Sequence, residues 1–242
     1  MHFSPFQNLA GDKLKAVVLS SGGLDSTTCL AVAVKKFGKQ NVSTVSIFYG
    51  QRHEKELTCA KAVAEFYGVN HYEFDAAEIM KNSNSALLNS SKENLANSTY
   101  AEQIQKNSRV ATYVPFRNGL MLSMAASFAD SLYNGAEVEI YIGVHQDDAA
   151  INAYPDCSAE FIKAIGAAVE IGTYGKIKIV APFLGKTKAD VVKIGTSLAV
   201  PYELTWSCYE RGDIPCGKCA TCIDRAKAFS LNGIEDPALT QR

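Results

Sequence analysis

The chain has 242 residues, 47% of them hydrophobic, a formal net charge of −1 and seven cysteines. That length can bury a sizeable core, the balanced charge gives no footprint for a dedicated nucleic-acid binder, and an odd cysteine count argues against a disulfide scaffold. No apolar run reaches membrane-spanning length and residues 1–14 lack the apolar core of a signal peptide, so a cytoplasmic protein without a membrane partner is expected.

Residues 16–19 read as a buried strand and 24–37 as a helix. Between and into them runs Ser20-Ser21-Gly22-Gly23-Leu24-Asp25-Ser26-Thr27. Two adjacent glycines let backbone N–H groups approach an anion, and the orphan donors and positive dipole end of the helix face it. No lysine follows, so this is not a Walker A loop, and the spacing is not that of a dinucleotide fold. The alternative is an ordinary turn in which Asp25 or a serine caps the helix. Two glycines with several oxygen-bearing side chains exceed what a cap requires, so phosphate binding by backbone and hydroxyls is expected.

Residues 44–48 form a second strand with Tyr49-Gly50-Gln51-Arg52-His53 as its exit. Leu57, Ala60, Ala64 and Tyr67 fall at helical spacing, Gly68 is placed to stop that helix, and 71–75 is a third strand. From 76 to about 110 the periodicity fades into a polar insertion, expected to be mobile, with short helices around Leu87 and Ala101. Residues 112–118 then open a helix running to Tyr133, stopped by Asn134-Gly135. A strand at 138–143, a polar loop at 144–156, a helix at 159–171 and a strand at 177–181 follow. Thr187 N-caps the next helix, with Asp190 closing a capping-box variant.

Strands alternating with helices imply a doubly wound α/β fold over residues 1–200, with a mostly parallel five-stranded sheet. In such sheets ligands bind beyond the strands' carboxyl ends, where the strand order reverses. The polar segments each follow a strand, so one rim is expected to collect the reactive side chains.

Residues 201–242 form a smaller C-terminal segment carrying Cys208, Cys216, Cys219 and Cys222. Four thiolates this close, with two-residue gaps, suit a tetrahedral Zn²⁺ site. Paired disulfides and an iron–sulfur cluster are the alternatives, the first disfavoured by a reducing compartment and the second by an upstream fourth cysteine without a Cys-Pro ending. Four sulfurs leave no open position, so the expected role is structural. Cys29 and Cys59 read as small core residues, and Cys157 adjoins the polar loop. His53 and His145 are either acid–base groups at the rim or structural histidines.

Ser21 to Ser26 resembles the PP-loop of the N-type ATP pyrophosphatases, which cleave ATP between its α and β phosphates. The loop, Tyr49-Gly50-Gln51-Arg52-His53, Val114-Pro115-Phe116-Arg117-Asn118, Tyr154-Pro155-Asp156-Cys157 with Glu160-Phe161, and the four cysteines are together similar to the 7-cyano-7-deazaguanine synthase family. Phe116 stands where that family's segment has glycine, and the chain extends upstream of Lys15. The resemblance implies an adenine nucleotide alpha hydrolase-like fold, a homodimer, and ATP-dependent conversion of 7-carboxy-7-deazaguanine and ammonia to the 7-nitrile.

On that reading Ser20, Ser21, Gly22, Gly23, Leu24, Asp25, Ser26 and Thr27 bind ATP. Asp25 either orients the helix terminus or helps hold Mg²⁺. Arg117 and Lys188 are candidate cations for a phosphate or the substrate carboxylate, or else solvated charges. Asp147, Asp148 and Asp156 are candidate acceptors for the N–H edge of a guanine-like base, and Tyr154 a stacking platform. Two rival functions are another PP-loop ligase, such as a tRNA-modifying enzyme, and a non-catalytic zinc module contacting RNA through Lys186, Lys188, Arg211 and Lys218.

Overall fold

The protein is described by a computed structural model covering residues 14–52, 55–93, 104–106, 109–149, 153–210 and 212–240. His53, Ala101 and Arg211 lie outside the described residues, as does the side chain of Asp148. No helix among the described residues is long and apolar enough to cross a membrane.

Strand β1 (Lys15–Leu19) enters helix α1 (Leu24–Phe37), followed by β2 (Val42–Phe48), α2 (Lys55–Tyr67), β3 (Asn70–Asp75) and a short α3 (Ala77–Met80). Helix α4 (Arg117–Tyr133), β4 (Val138–Tyr141), the short α5 (Gln146–Ala149), α6 (Ala159–Gly172), β5 (Ile177–Val180) and α7 (Lys188–Ser197) complete the alternating part. Beyond it lie α8 (Ala220–Ser230) and a last turn, α9 (Pro237–Thr240). The strands pair in the order β3-β2-β1-β4-β5, each pair parallel. The doubly wound five-stranded sheet expected from the alternation is present, and its order reverses between β1 and β4.

A parallel strand buried on both faces reads as a nearly continuous apolar run, and β1 does from Ala16 to Leu19. Its period of two sends Ala16 and Val18 into one core with Leu30, Val63, Val191 and Phe229, and Val17 and Leu19 into another with Leu122, Ile140, Ile162 and Ile177. Helices α1, α2, α7 and α8 therefore cover one face, and α4 and α6 the other. Ser158 caps α6 by accepting from the Phe161 N–H, and Thr187 with Asp190 makes the reciprocal capping box of α7.

Three sequence expectations are corrected. Strand β4 stops at Tyr141, two residues short, although the Ile142 N–H still reaches the Val180 carbonyl at 3.0 Å. No helix forms around Leu87; Leu88 instead makes an antiparallel bridge with Gln51. The described part of the insertion is anchored, because Leu88 and Met80 are buried with Tyr49 and Val114, and Arg52 donates to the Leu88, Ser91 and Glu93 carbonyls. Its polar composition concealed a few apolar anchors spaced without a period.

Candidate active site and metal centre

A cavity of about 660 Å³ opens at the carboxyl ends of β1, β2 and β4, over the point where the strand order reverses. Ser20, Ser21, Gly23, Leu24, Asp25 and Ser26 line its floor. Gly22 turns the chain with φ 72°, and a Cβ there would stand 2.6 Å from the Ala60 N, so this position admits only glycine. Gly23 is the N-cap of α1 and brings no side-chain cap. The first-turn N–H groups thus have no side-chain cap from Gly23, and the Asp25 carboxylate lies toward Lys188 and His145 instead of capping the helix.

Serines hold the loop from within. The Ser26 hydroxyl accepts from the Ser21 N–H at 3.2 Å and donates to the Gly23 carbonyl at 3.2 Å. Ser46 donates to the Ser20 carbonyl, while the Ser20 Oγ is buried without a partner among the described residues. Thr27 is buried behind the loop, and its Oγ1 has no partner there either. The loop after β4 presses in from the side: a Cβ on Gly143 would lie 2.9 Å from the Asp25 carbonyl carbon.

Asp25 faces Lys188 and His145. Its Oδ2 is 3.6 Å from Lys188 Nζ and its Oδ1 3.6 Å from His145 Nε2. Burial alone would raise the Asp25 pKa, but Lys188, then His145 and Arg225, outweigh it and hold the carboxyl at about 2. Asp147 also reaches this corner, its Oδ2 accepting from the Lys188 N–H at 2.9 Å. Arg117 stands at the first position of α4, opposite, and donates to the Tyr49 hydroxyl at 3.1 Å. Burial opposes its charge, but Tyr49, Cys157 and Asp156 more than restore it, so the guanidinium stays cationic.

Tyr154 lines the cavity with its hydroxyl 2.6 Å from Thr112 Oγ1. Asp156 is elsewhere. It is buried, and its Oδ2 accepts from the Asn118 N–H at 3.0 Å, so it caps α4 instead of lining the cavity. Cys157 is held by the Asn118 amide at 3.3 Å. The N-cap of α4 is Phe116 in the left-handed region, φ 52° and ψ 29°, its ring edge-on to Phe161 at 5.7 Å. A left-handed backbone there accounts for glycine at this position in the resembled family.

Sequence reasoning passed over two further lining residues, Glu56 and Trp206. The Trp206 N–H donates to the Gly22 carbonyl at 2.9 Å, and its indole N–H donates to the Cys208 carbonyl at 2.9 Å. Lys55 Nζ sits 4.0 Å from that ring's centroid. An isolated tryptophan carries no motif; only its place two residues before the first clustered cysteine hinted at this bridge.

The sulfurs of Cys208, Cys216, Cys219 and Cys222 all lie within 4.8 Å of one another. Tetrahedral coordination at the usual zinc–sulfur distance needs sulfurs about 3.8 Å apart, so small adjustments seat an ion. The N–H groups of Glu210 and Cys216 point at Cys208 Sγ and that of Cys219 at Cys216 Sγ, each at 3.3 Å. Donors aimed at sulfur favour thiolates, which is the form a metal takes. The four sulfurs are close enough to one another that they could hold a metal ion. Arg225 secures its helix through two bonds to Asp236, at 2.7 and 2.9 Å, and others to Thr205 and the Tyr202 carbonyl.

A family model described as queuosine biosynthesis protein QueC matches residues 15–233. Relatives named 7-cyano-7-deazaguanine synthase include one from Archaeoglobus fulgidus, 41% identical over 94% of this chain and 90% of its own. Another, from Persephonella marina, is 44% identical over 91% of this chain and 94% of its own. A third, from Oceanobacillus iheyensis, is 40% identical over 92% of this chain and 96% of its own.

Proposed function

The chain belongs to the QueC family of queuosine biosynthesis proteins, and we propose that it is a carbon–nitrogen ligase making 7-cyano-7-deazaguanine from 7-carboxy-7-deazaguanine, ammonia and ATP. The observation that carries this reading is the uncapped, lysine-free glycine loop at the strand-order reversal, with Lys188 beside Asp25 and Arg117 lining the same cavity.

A carboxylate does not expel oxide, so its oxygen must first be converted to a leaving group. The substrate carboxylate attacks the α-phosphorus, the bond to the bridging oxygen breaks, and pyrophosphate departs into the loop's N–H groups. Ammonia adds to the acyl carbon, AMP leaves with the bonding pair, and a proton is lost to give the amide. The amide oxygen attacks a second ATP in the same way. Loss of AMP and two protons then leaves the nitrile.

In this scheme Ser20, Ser21, Gly23, Leu24 and Ser26 take the phosphates, while Gly22 and Thr27 shape the loop behind them. Lys188, fixed beside Asp25, neutralises charge developing at the α-phosphorus. Arg117, hydrogen-bonded to Tyr49, receives the substrate carboxylate. Tyr154 and Asp147 border the space left for the base. Asp25 and Asp147 would hold Mg²⁺ at the phosphates, and the four cysteines would hold Zn²⁺, which supplies a rigid anchor and no reactive position. We take residues 1–200 as the catalytic unit and 201–242 as its metal-bearing clamp, in a cytoplasmic homodimer; light scattering on purified protein tests the last point.

The decisive experiment is incubation with 7-carboxy-7-deazaguanine, ammonia, ATP and Mg²⁺, followed by mass spectrometry. Nitrile and AMP in a ratio of about one to two are expected from the two adenylations. ADP without nitrile overturns the proposal.

A further inference from the structure

The chemistry just proposed releases protons at nitrogen, once as ammonia becomes the amide and twice as the adenylated amide collapses. A water-filled cleft can absorb them, but a positioned base raises the rate by about 100-fold or more. The acids on the cavity wall differ sharply in their fitness for this. Asp25 is fixed between Lys188 and His145 and held at about 2, too weak a base. Asp147 has an oxygen committed to the Lys188 N–H, and Asp224 is solvated on the exposed side of α8.

Glu56 is different. It stands in the first turn of α2 and lines the cavity, with its main chain against Gly22 of the phosphate loop and its carboxyl toward the Arg117 and Tyr49 wall. Among the described residues its carboxylate makes no hydrogen bond or ion pair, yet it is only half-buried, so water can relieve it of each proton. It therefore lies between the place where AMP and pyrophosphate leave and the cation assigned to the substrate carboxylate.

Resting on the function proposed above, we infer that Glu56 is the base that removes these protons: its carboxylate takes the surplus N–H proton as the C–N bond forms and the C–O bond to AMP breaks, then takes each amide proton, one at a time, as the nitrile forms. The electron pair of each broken C–O bond leaves with AMP, so no oxidant or further reactant is needed. The ionisable groups facing it are Arg117 and Tyr49 from the opposite wall and Cys59 from its own helix. Burial pushes the Glu56 carboxyl up, Arg117 only partly offsets this, and the result is about 7. An acid of that strength is half ionised at neutral pH and suited to proton transfer.

The test uses the full-length protein with its metal and two variants, Glu56→Gln and Glu56→Asp. Carboxylate-dependent exchange between ATP and labelled pyrophosphate reports adenylation alone, and nitrile formation reports the whole sequence. Glu56→Gln is expected to keep the exchange within a few-fold of the unaltered protein while nitrile formation falls about 100-fold or more, and to lose the acid limb of kcat/KM near pH 7. Glu56→Asp is expected to recover part of the rate and to retain an acid limb. The inference is overturned if Glu56→Gln makes nitrile at an undiminished rate with the limb intact, or if exchange and nitrile fall together, which would make Glu56 a support for the loop. If the unaltered protein exchanges pyrophosphate but yields no nitrile, the function proposed above fails instead.

Discussion

The glycine loop and the cysteine knuckle are both tight turns entering a helix, yet they are held by opposite means. The loop at Gly22 and Gly23 depends on what is missing: no Cβ, no cap and no lysine, so that backbone N–H groups stay available. The knuckle depends on four sulfurs converging on one point. One is preorganised by steric exclusion, the other by backbone N–H groups directed at its sulfurs, and Trp206 ties them through the Gly22 and Cys208 carbonyls. A loop without a side-chain cap needs a rigid backbone, and the comparison teaches that part of this rigidity comes from the C-terminal cysteine segment.

The sharpest way to break this coupling is to remove the metal. Chelation, or Cys208→Ser, is expected to lower stability by on the order of 4 kcal/mol and to weaken ATP binding at least about tenfold. Unfolding followed by the fluorescence of Trp206, with ATP titration calorimetry, checks both. Unchanged ATP affinity would show that the knuckle does not hold the loop. Gly22→Ala perturbs the other end: a Cβ against the α2 backbone, at φ 72°, is expected to cost about 3 kcal/mol and abolish ATP binding. Metal content by elemental analysis should stay at one ion per chain, which separates the two regions.

A smaller effect distinguishes the charges around the loop. Asp25 has a folded pKa of about 2, below its ordinary 3.8, so its stabilisation is present above pH about 4 and is lost as pH falls toward about 2. Asp25→Asn should therefore be less stable by about 2 kcal/mol at neutral pH, with the difference vanishing by pH about 2 in denaturant titrations. The smallest change is expected at Phe116→Gly. Relief of the left-handed backbone, worth about 1 kcal/mol, is offset by loss of the edge-on contact with Phe161, worth about 0.5–1.5 kcal/mol. Thermal melts should shift little, and a large loss would show that the ring, not the turn, organises the start of α4.

The five strands, the bounds of α1 and the four clustered cysteines were legible because each rests on local pattern: an apolar run, a helical period or a ligand spacing. The capping box at Thr187 was legible for the same reason. Asp156 was not, because nothing in Tyr-Pro-Asp-Cys tells whether its carboxylate turns to a cavity or to the N–H of Asn118, which lies far back in the chain. The anchors Leu88 and Met80 were hidden by aperiodic spacing among polar neighbours. Glu56 shows the same gap: an acid in the first turn of an amphipathic helix is ordinary in sequence, and only the fold brings Arg117 and the phosphate loop against it.

The bond from the Trp206 N–H to the Gly22 carbonyl also joins two parts of the chain far apart in sequence. The loop follows the first strand of the sheet, whereas Trp206, the cysteines and the Arg225–Asp236 lock all follow the last one. A chain ending after the sheet would keep every strand pair and lose the contact that holds the glycine loop from the C-terminal side.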